Sequence, residues 1–119
     1  MVKVVGDDFK LIFIIVKKNL GRRVIKACKK AGAEGGTVLP GRGTGSKQSS
    51  TFLGITVEPE KDIILCLAPN ELVKKVISKV RAAARLDRPG TGIAFVVNSK
   101  NICGIAHLLN SKNNSQTNQ

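Results

Sequence analysis

Two glycine-rich turns hold the residues best suited to chemistry: G-G-T-V-L-P-G-R-G-T-G at residues 35–45 and R-P-G-T-G-I-A-F at residues 88–95. Glycine permits positive φ and removes the Cβ that keeps a ligand off the backbone, so successive N–H groups can converge on a phosphate or another anion. One such loop reads as a tight turn and no more. Two loops with the same G-T-G core, at equivalent points of a repeated pattern, point to anion binding.

The repeat is legible in the apolar periodicity. Residues 9–16 form a β-branched apolar run interrupted by Lys10, which predicts a strand. Leu20, Val24, Ala27, Cys28 and Ala31 then recur at helical spacing, with Gly32 placed to stop the helix. A second strand starts at residues 37–39, dissolves into a loop over 41–50 and resumes at 51–57, with a reversal at 58–61. Residues 62–68 read as the third main strand. Asn70 is an expected N-cap for a second amphipathic helix marked by Leu72, Val73, Val76, Ile77, Val80, Ala83 and Ala84. Residues 93–97 form the fourth strand, and 102–105 a short edge piece.

This order predicts an α+β, ferredoxin-like βαββαβ domain with both helices on one face of an antiparallel sheet. The strands at 11–16 and 63–68 are apolar on both faces, whereas a sheet wet on one side alternates. The chain has no spare helix to cover the second face, so the pattern calls for another copy of itself in a closed oligomer. The length suits one compact core burying roughly two-thirds of the surface that the unfolded chain exposes. We expect an N-terminal extension over residues 1–8, the folded domain over 9–109 and a disordered polar tail over 110–119.

Cys28, Cys66 and Cys103 are widely spaced and form no C-x-x-C pair, so they read as buried small hydrophobes. With His107 they lack the spacing of a zinc site, and no metal is expected. The odd cysteine count suits the reducing cytoplasm, and no stretch is long enough to span a bilayer. The net charge is +12. Residues 17–30 carry Lys17, Lys18, Arg22, Arg23, Lys26, Lys29 and Lys30 without an acid, and Lys74, Lys75, Lys79, Arg81, Arg85 and Arg88 repeat the theme on the second helix. Such a field attracts nucleic acid, an anionic membrane surface or phosphorylated metabolites. The absence of Tyr and Trp argues against nucleic acid, because the sheet lacks the aromatic platform on which bases stack.

The runs K-A-G-A-E-G-G-T-V-L-P-G-R-G-T-G, G-I-T-V-E-P-E-K-D-I-I-L-C-L-A-P and P-G-T-G-I-A-F resemble the PII nitrogen-regulatory and PII-like signal-transduction proteins, over residues 10–105. The resemblance implies a homotrimer of ferredoxin-like subunits that binds an adenine nucleotide in inter-subunit clefts. It also implies a mobile T-loop between the second and third main strands, over residues 43–52, through which the protein regulates a membrane transporter or a metabolic enzyme of nitrogen or carbon metabolism. By position, Ile14, Thr37, Gly43, Gly45, Cys66, Gly90 and Gly92 correspond to nucleotide-binding residues, Cys66 through its backbone. Ser46, Lys47, Gln48, Ser49, Ser50 and Phe52 correspond to the partner-binding part of the T-loop.

Departures from the family pattern bear on the ligand. Ile93 stands where the family places a phosphate-binding lysine, and Gly104 and Ala106 replace two arginines. Each lost charge-assisted hydrogen bond is worth about 1.5–3 kcal/mol, which disfavours a triphosphate. Arg42, Lys47 and Arg88 are the side chains available to replace the lost cations. The expected ligand is AMP, ADP or a cyclic form in preference to ATP. Without tyrosine, tyrosyl uridylylation is excluded.

Two alternatives stay open at the level of sequence: a small acylphosphatase-like enzyme, suggested by Arg42 within G-R-G-T-G, and a basic nucleic-acid-binding module of ferredoxin-like fold. His107 is the single histidine and carboxylates are few, so no nucleophile–base or acid–base pair is visible. The chain is read as a non-enzyme.

Overall fold

β-Branched and aromatic residues, which pack well on a pleated surface, make up most of strand β1 (Phe9–Lys17). The computed structural model describes residues 8–43 and 50–104. After β1 come helix α1 (Gly21–Lys30), β2 (Thr37–Arg42), the short strands β3 (Ser50–Phe52) and β4 (Ile55–Val57), and β5 (Glu60–Pro69). A 3-10 turn (Asn70–Leu72), helix α2 (Val73–Ala83) and β6 (Gly92–Asn98) complete the order. β1, β2, β5 and β6 form one antiparallel sheet in the order β2-β5-β1-β6, the arrangement of a repeated split βαβ unit.

Alternation sorts the two central strands into faces. Ile12, Ile14 and Val16 of β1 and Ile64, Cys66 and Ala68 of β5 pack against Val24, Ala27 and Cys28 of α1 and Val76 and Val80 of α2, all buried in one cluster. Full burial of each Ile or Val contributes about 1.5–3 kcal/mol, so this layer holds the fold. The opposite face carries Leu11, Phe13 and Ile15 of β1 and, in register with them, Val97, Phe95 and Ile93 of β6. It is no less apolar, yet Ile93 and Phe95 are 55% and 42% exposed.

Three local features differ from the sequence expectation. Residues 51–57 do not resume β2. They turn back at Leu53 and Gly54, whose φ values of 52° and 80° suit a tight hairpin, and pair as β3 with β4. The expected reversal at 58–61 is therefore partly strand, with Glu60 and Lys61 opening β5 opposite Arg42 and Gly41. Asn70 starts the 3-10 turn and does not cap α2, whose N-cap is Leu72 without a side-chain bond. Gly32 ends α1 as expected: its φ is 107° and its amide donates to the Lys29 carbonyl at 3.0 Å. At the C-terminal end of the described residues, Ile102 makes an isolated bridge.

Candidate anion-binding site

The sheet register decides where the two glycine-rich turns lie. Val16 of β1 sits opposite Gly92 of β6 on one side and Asp62 of β5 on the other, and Asp62 in turn sits opposite Pro40 of β2. The second turn and the end of β2 that leads to Gly43 therefore reach the same end of the sheet, whereas Gly35 and Gly36 precede β2 at the other end. The second turn and the Gly43 end of β2 lie at opposite edges, separated by three strand spacings, or about 14 Å. A phosphate oxygen takes amides at about 3 Å, so the described residues of the two turns at this end, 41–43 and 90–92, do not share one phosphate within a chain.

The second turn is wound tightly by its own hydrogen bonds. Leu86 N–H donates to Arg81 O and Arg88 N–H to Arg85 O, both at 3.0 Å. The Thr91 hydroxyl is shared between the carbonyls of Arg85 (2.8 Å) and Arg88 (3.0 Å). Gly90 then takes a φ of 79°, exposed at the head of β6. Gly92 is required by close approach, because a Cβ there would lie 2.4 Å from the Ile15 carbonyl oxygen.

At the other edge, the β2–β5 ladder runs out to the pair Arg42–Glu60. The Gly43 amide donates to the Pro59 carbonyl at 3.2 Å, and the Lys18 ammonium binds the Glu60 carboxylate at 2.6 Å. That hydrogen bond, with the charge behind it, holds the Glu60 carboxyl below its usual range and the Lys18 ammonium above its own. Lys18, Pro40, Gly41, Arg42, Glu60, Lys61 and Asp62 line a cavity of about 340 Å³ here. A second cavity, of about 450 Å³, lies at the start of β2 and is lined by Leu11, Glu34, Gly35, Gly36, Thr37, Leu65 and Leu67.

Against this geometry the expected site residues divide. Thr37 lines the larger cavity, and Arg42 the smaller. Gly90, Gly92 and Arg88 lie together in and beside the second turn, with Arg88 exposed. Ile14 is fully buried on the helix side of the sheet, so its side chain lines neither cavity. Cys66 is buried on the same side, where its thiol meets Cys28; that contact, with burial, pushes the Cys66 thiol up. The Gly43 amide closes the loop onto Pro59 and is not offered to a ligand, and the excursion from the sheet extends past Phe52 to Pro59. Ser50 and Phe52 belong to β3. Gly45, Ser46, Lys47, Gln48 and Ser49 lie outside the described residues, as do Ala106 and His107.

Leu11, Leu65 and Leu67 were missed as lining residues. The available signal was the strand period: they occupy the face opposite the core positions, next to the Gly35-Gly36 pair that opens β2. Gly36 itself allows close packing, since a Cβ there would meet the Leu65 carbonyl at 2.9 Å.

Comparison with known proteins agrees with this architecture. The crystal structure of Arabidopsis thaliana PII bound to citrate is similar to the chain, with a TM-score of 0.62 and 26% sequence identity over 79% of each chain. No curated protein matches the sequence. Among the described residues, no helix is long and apolar enough to cross a membrane. The model of the family described as Nitrogen regulatory protein P-II matches residues 9–106. The chain belongs to that family of signal-transduction regulators.

Proposed function

We propose that this regulator binds an adenine nucleotide between the subunits of a homotrimer and passes the signal to a partner through a T-loop. The observation that carries the reading is the placement of the second glycine-rich turn and the end of β2 that leads to Gly43 at one end of the sheet but on opposite edges. An assembly that sets the β2 edge of one copy beside the β6 edge of the next closes the 14 Å gap, roughly, that one chain leaves open. The exposed apolar sheet face supplies the driving force for such an assembly.

The T-loop is the excursion between Gly43 and Pro59, within a folded domain over residues 9–109. Its partner is a membrane transporter or a metabolic enzyme of nitrogen or carbon metabolism, met in the cytoplasm. In the cleft, Thr37 and the leucines beside it face the base, and the Gly90 turn takes the phosphate, with Arg42 and Arg88 as neighbouring cations. Ile93, in the position of a phosphate-binding lysine, is apolar and more than half exposed. The reading therefore favours AMP, ADP or a cyclic nucleotide over ATP. The related PII holds citrate, itself an anion, in keeping with an anion-binding fold.

A thermal-shift panel of AMP, ADP, cyclic AMP and ATP tests it. A ligand present at 100 times its dissociation constant stabilises by about 2.7 kcal/mol, a rise of several degrees in Tm. Gly90→Val should abolish the rise and leave the oligomer intact. If no nucleotide at millimolar concentration moves the melting curve, or the variant responds as the wild type does, the nucleotide reading fails.

A further inference from the structure

The face opposite the apolar sheet surface is as distinctive in charge as that surface is in hydropathy. On α1, Arg22, Arg23, Lys26, Lys29 and Lys30 are all exposed, at the spacing that places them on the side away from buried Val24, Ala27 and Cys28. On α2, Lys74, Lys75, Lys79 and Arg81 are exposed in the same way, away from buried Val76 and Val80. Neither helix contains a carboxylate. Asp87, just past α2, is bound by Arg81 at 2.7 Å. The two helices pack side by side over the sheet, so their cationic stripes lie in one layer, with axes about 10 Å apart and lengths of about 15 Å.

We propose that this helix layer is a docking surface for an anionic lipid bilayer. Coplanar stripes present their cations together to a plane of headgroup phosphates, whereas a nucleic-acid duplex curves away from a flat layer. The exposed large hydrophobics among the described residues, Val38, Leu39, Leu53, Ile93, Phe95, Val96 and Val97, all lie outside the two helices. Nothing on the layer inserts into lipid, so the attachment is electrostatic, reversible and governed by salt. Because it uses the face that assembly through the sheet leaves free, it is independent of the nucleotide cleft.

The test is co-sedimentation of the full chain with vesicles at low salt, comparing phosphatidylglycerol–phosphatidylcholine mixtures with phosphatidylcholine alone. The protein should pellet with the anionic vesicles alone and be released near 1 M salt, where the screening length falls to about 3 Å. Removing one cation should weaken partitioning about fivefold, and reversing charge should do more. The double variant Lys26→Glu with Lys75→Glu should lose binding by well over tenfold. Lys17→Glu with Lys100→Glu, the same charge change on residues outside both helices, should lose far less. Circular dichroism confirms that each variant is folded. The proposal is overturned if the wild type ignores anionic vesicles, if both double variants lose binding equally, or if duplex DNA displaces the protein from the vesicles at equal phosphate concentration.

Discussion

A carboxylate oxygen of Asp62 in β5 lies 2.9 Å from the backbone nitrogen of Gly21, the first residue of α1, although 41 positions separate them in sequence. The same oxygen accepts the amide of Asn19 at 2.9 Å. Helix α1 has no side-chain cap of its own and no acid in its first turn, so a distant strand supplies both the acceptor and the negative charge. Asp62→Ala should cost about 1–2 kcal/mol in urea denaturation, and Asp62→Asn less, since its amide oxygen still accepts. Gly21→Ala should resemble Asp62→Ala, because the new Cβ would sit 2.8 Å from that oxygen.

Two positive-φ glycines should respond very differently to alanine. At Gly92 (φ 155°) the Cβ meets the Ile15 carbonyl oxygen at 2.4 Å and Val16 Cγ1 at 2.8 Å, and neither lies on a side chain that swings freely away. Gly92→Ala should lose more than about 2 kcal/mol. At Gly54 (φ 80°) no atom lies within 4 Å, and only the backbone preference remains. Gly54→Ala should lose about 1 kcal/mol or less from global stability. Chemical denaturation of the pair separates close approach from conformational preference.

Phe13 and Phe95 stack across the central register of the apolar face, with ring centroids 5.2 Å apart and planes within 5° of parallel. If neighbouring subunits cover this face, Phe95→Glu brings an unpartnered carboxylate into the interface. The subunit dissociation constant should then rise at least about a hundredfold, or about 2.7 kcal/mol. Sedimentation equilibrium measures it, and an assembly unchanged by the substitution would place the contacts elsewhere.

The ion pair between Lys18 and Glu60 ties β1 to the base of the excursion, and its pH dependence has a definite sign. Glu60 is lowered from 4.5, so its contribution is fully present above that value and is lost as pH falls through the folded pKa. Lys18 is raised from 10.5, so its contribution is complete below that value and disappears only as pH rises beyond it. Between those limits the pair is constant. In an NMR titration, Lys18→Gln should move the Glu60 midpoint upward toward 4.5, and added salt should shrink the difference, since both side chains are exposed to solvent.

Much of this architecture was legible because strand and helix periods are written locally. Ile12, Ile14 and Val16 declare one face of β1, and Val24 and Cys28 declare the inner side of α1. The hairpin at Leu53–Gly54 was harder to read, because leucine rarely adopts positive φ and the apolar residues around it fit a continued strand equally well. The Asp62 cap was invisible for another reason: register brings it to α1, and register is a property of the assembled sheet. The same holds for the site. Glycine content singled out both turns, while their separation across four strands emerged only from the pairing of Gly92, Val16, Asp62 and Pro40.

The bond from Gly43 to Pro59 has a wider consequence. With the Arg42–Glu60 pair directly beneath it, the chain leaves the sheet and returns to it at a single point, and the ladder below is complete without what lies between. The entropy of closing such a detour grows only with the logarithm of its length, about 0.6 kcal/mol for each doubling. Insertions, deletions or wholesale exchange of the segment should therefore leave the foundation standing. Whatever surface the segment carries can change there as an interchangeable part, without renegotiating the rest of the molecule.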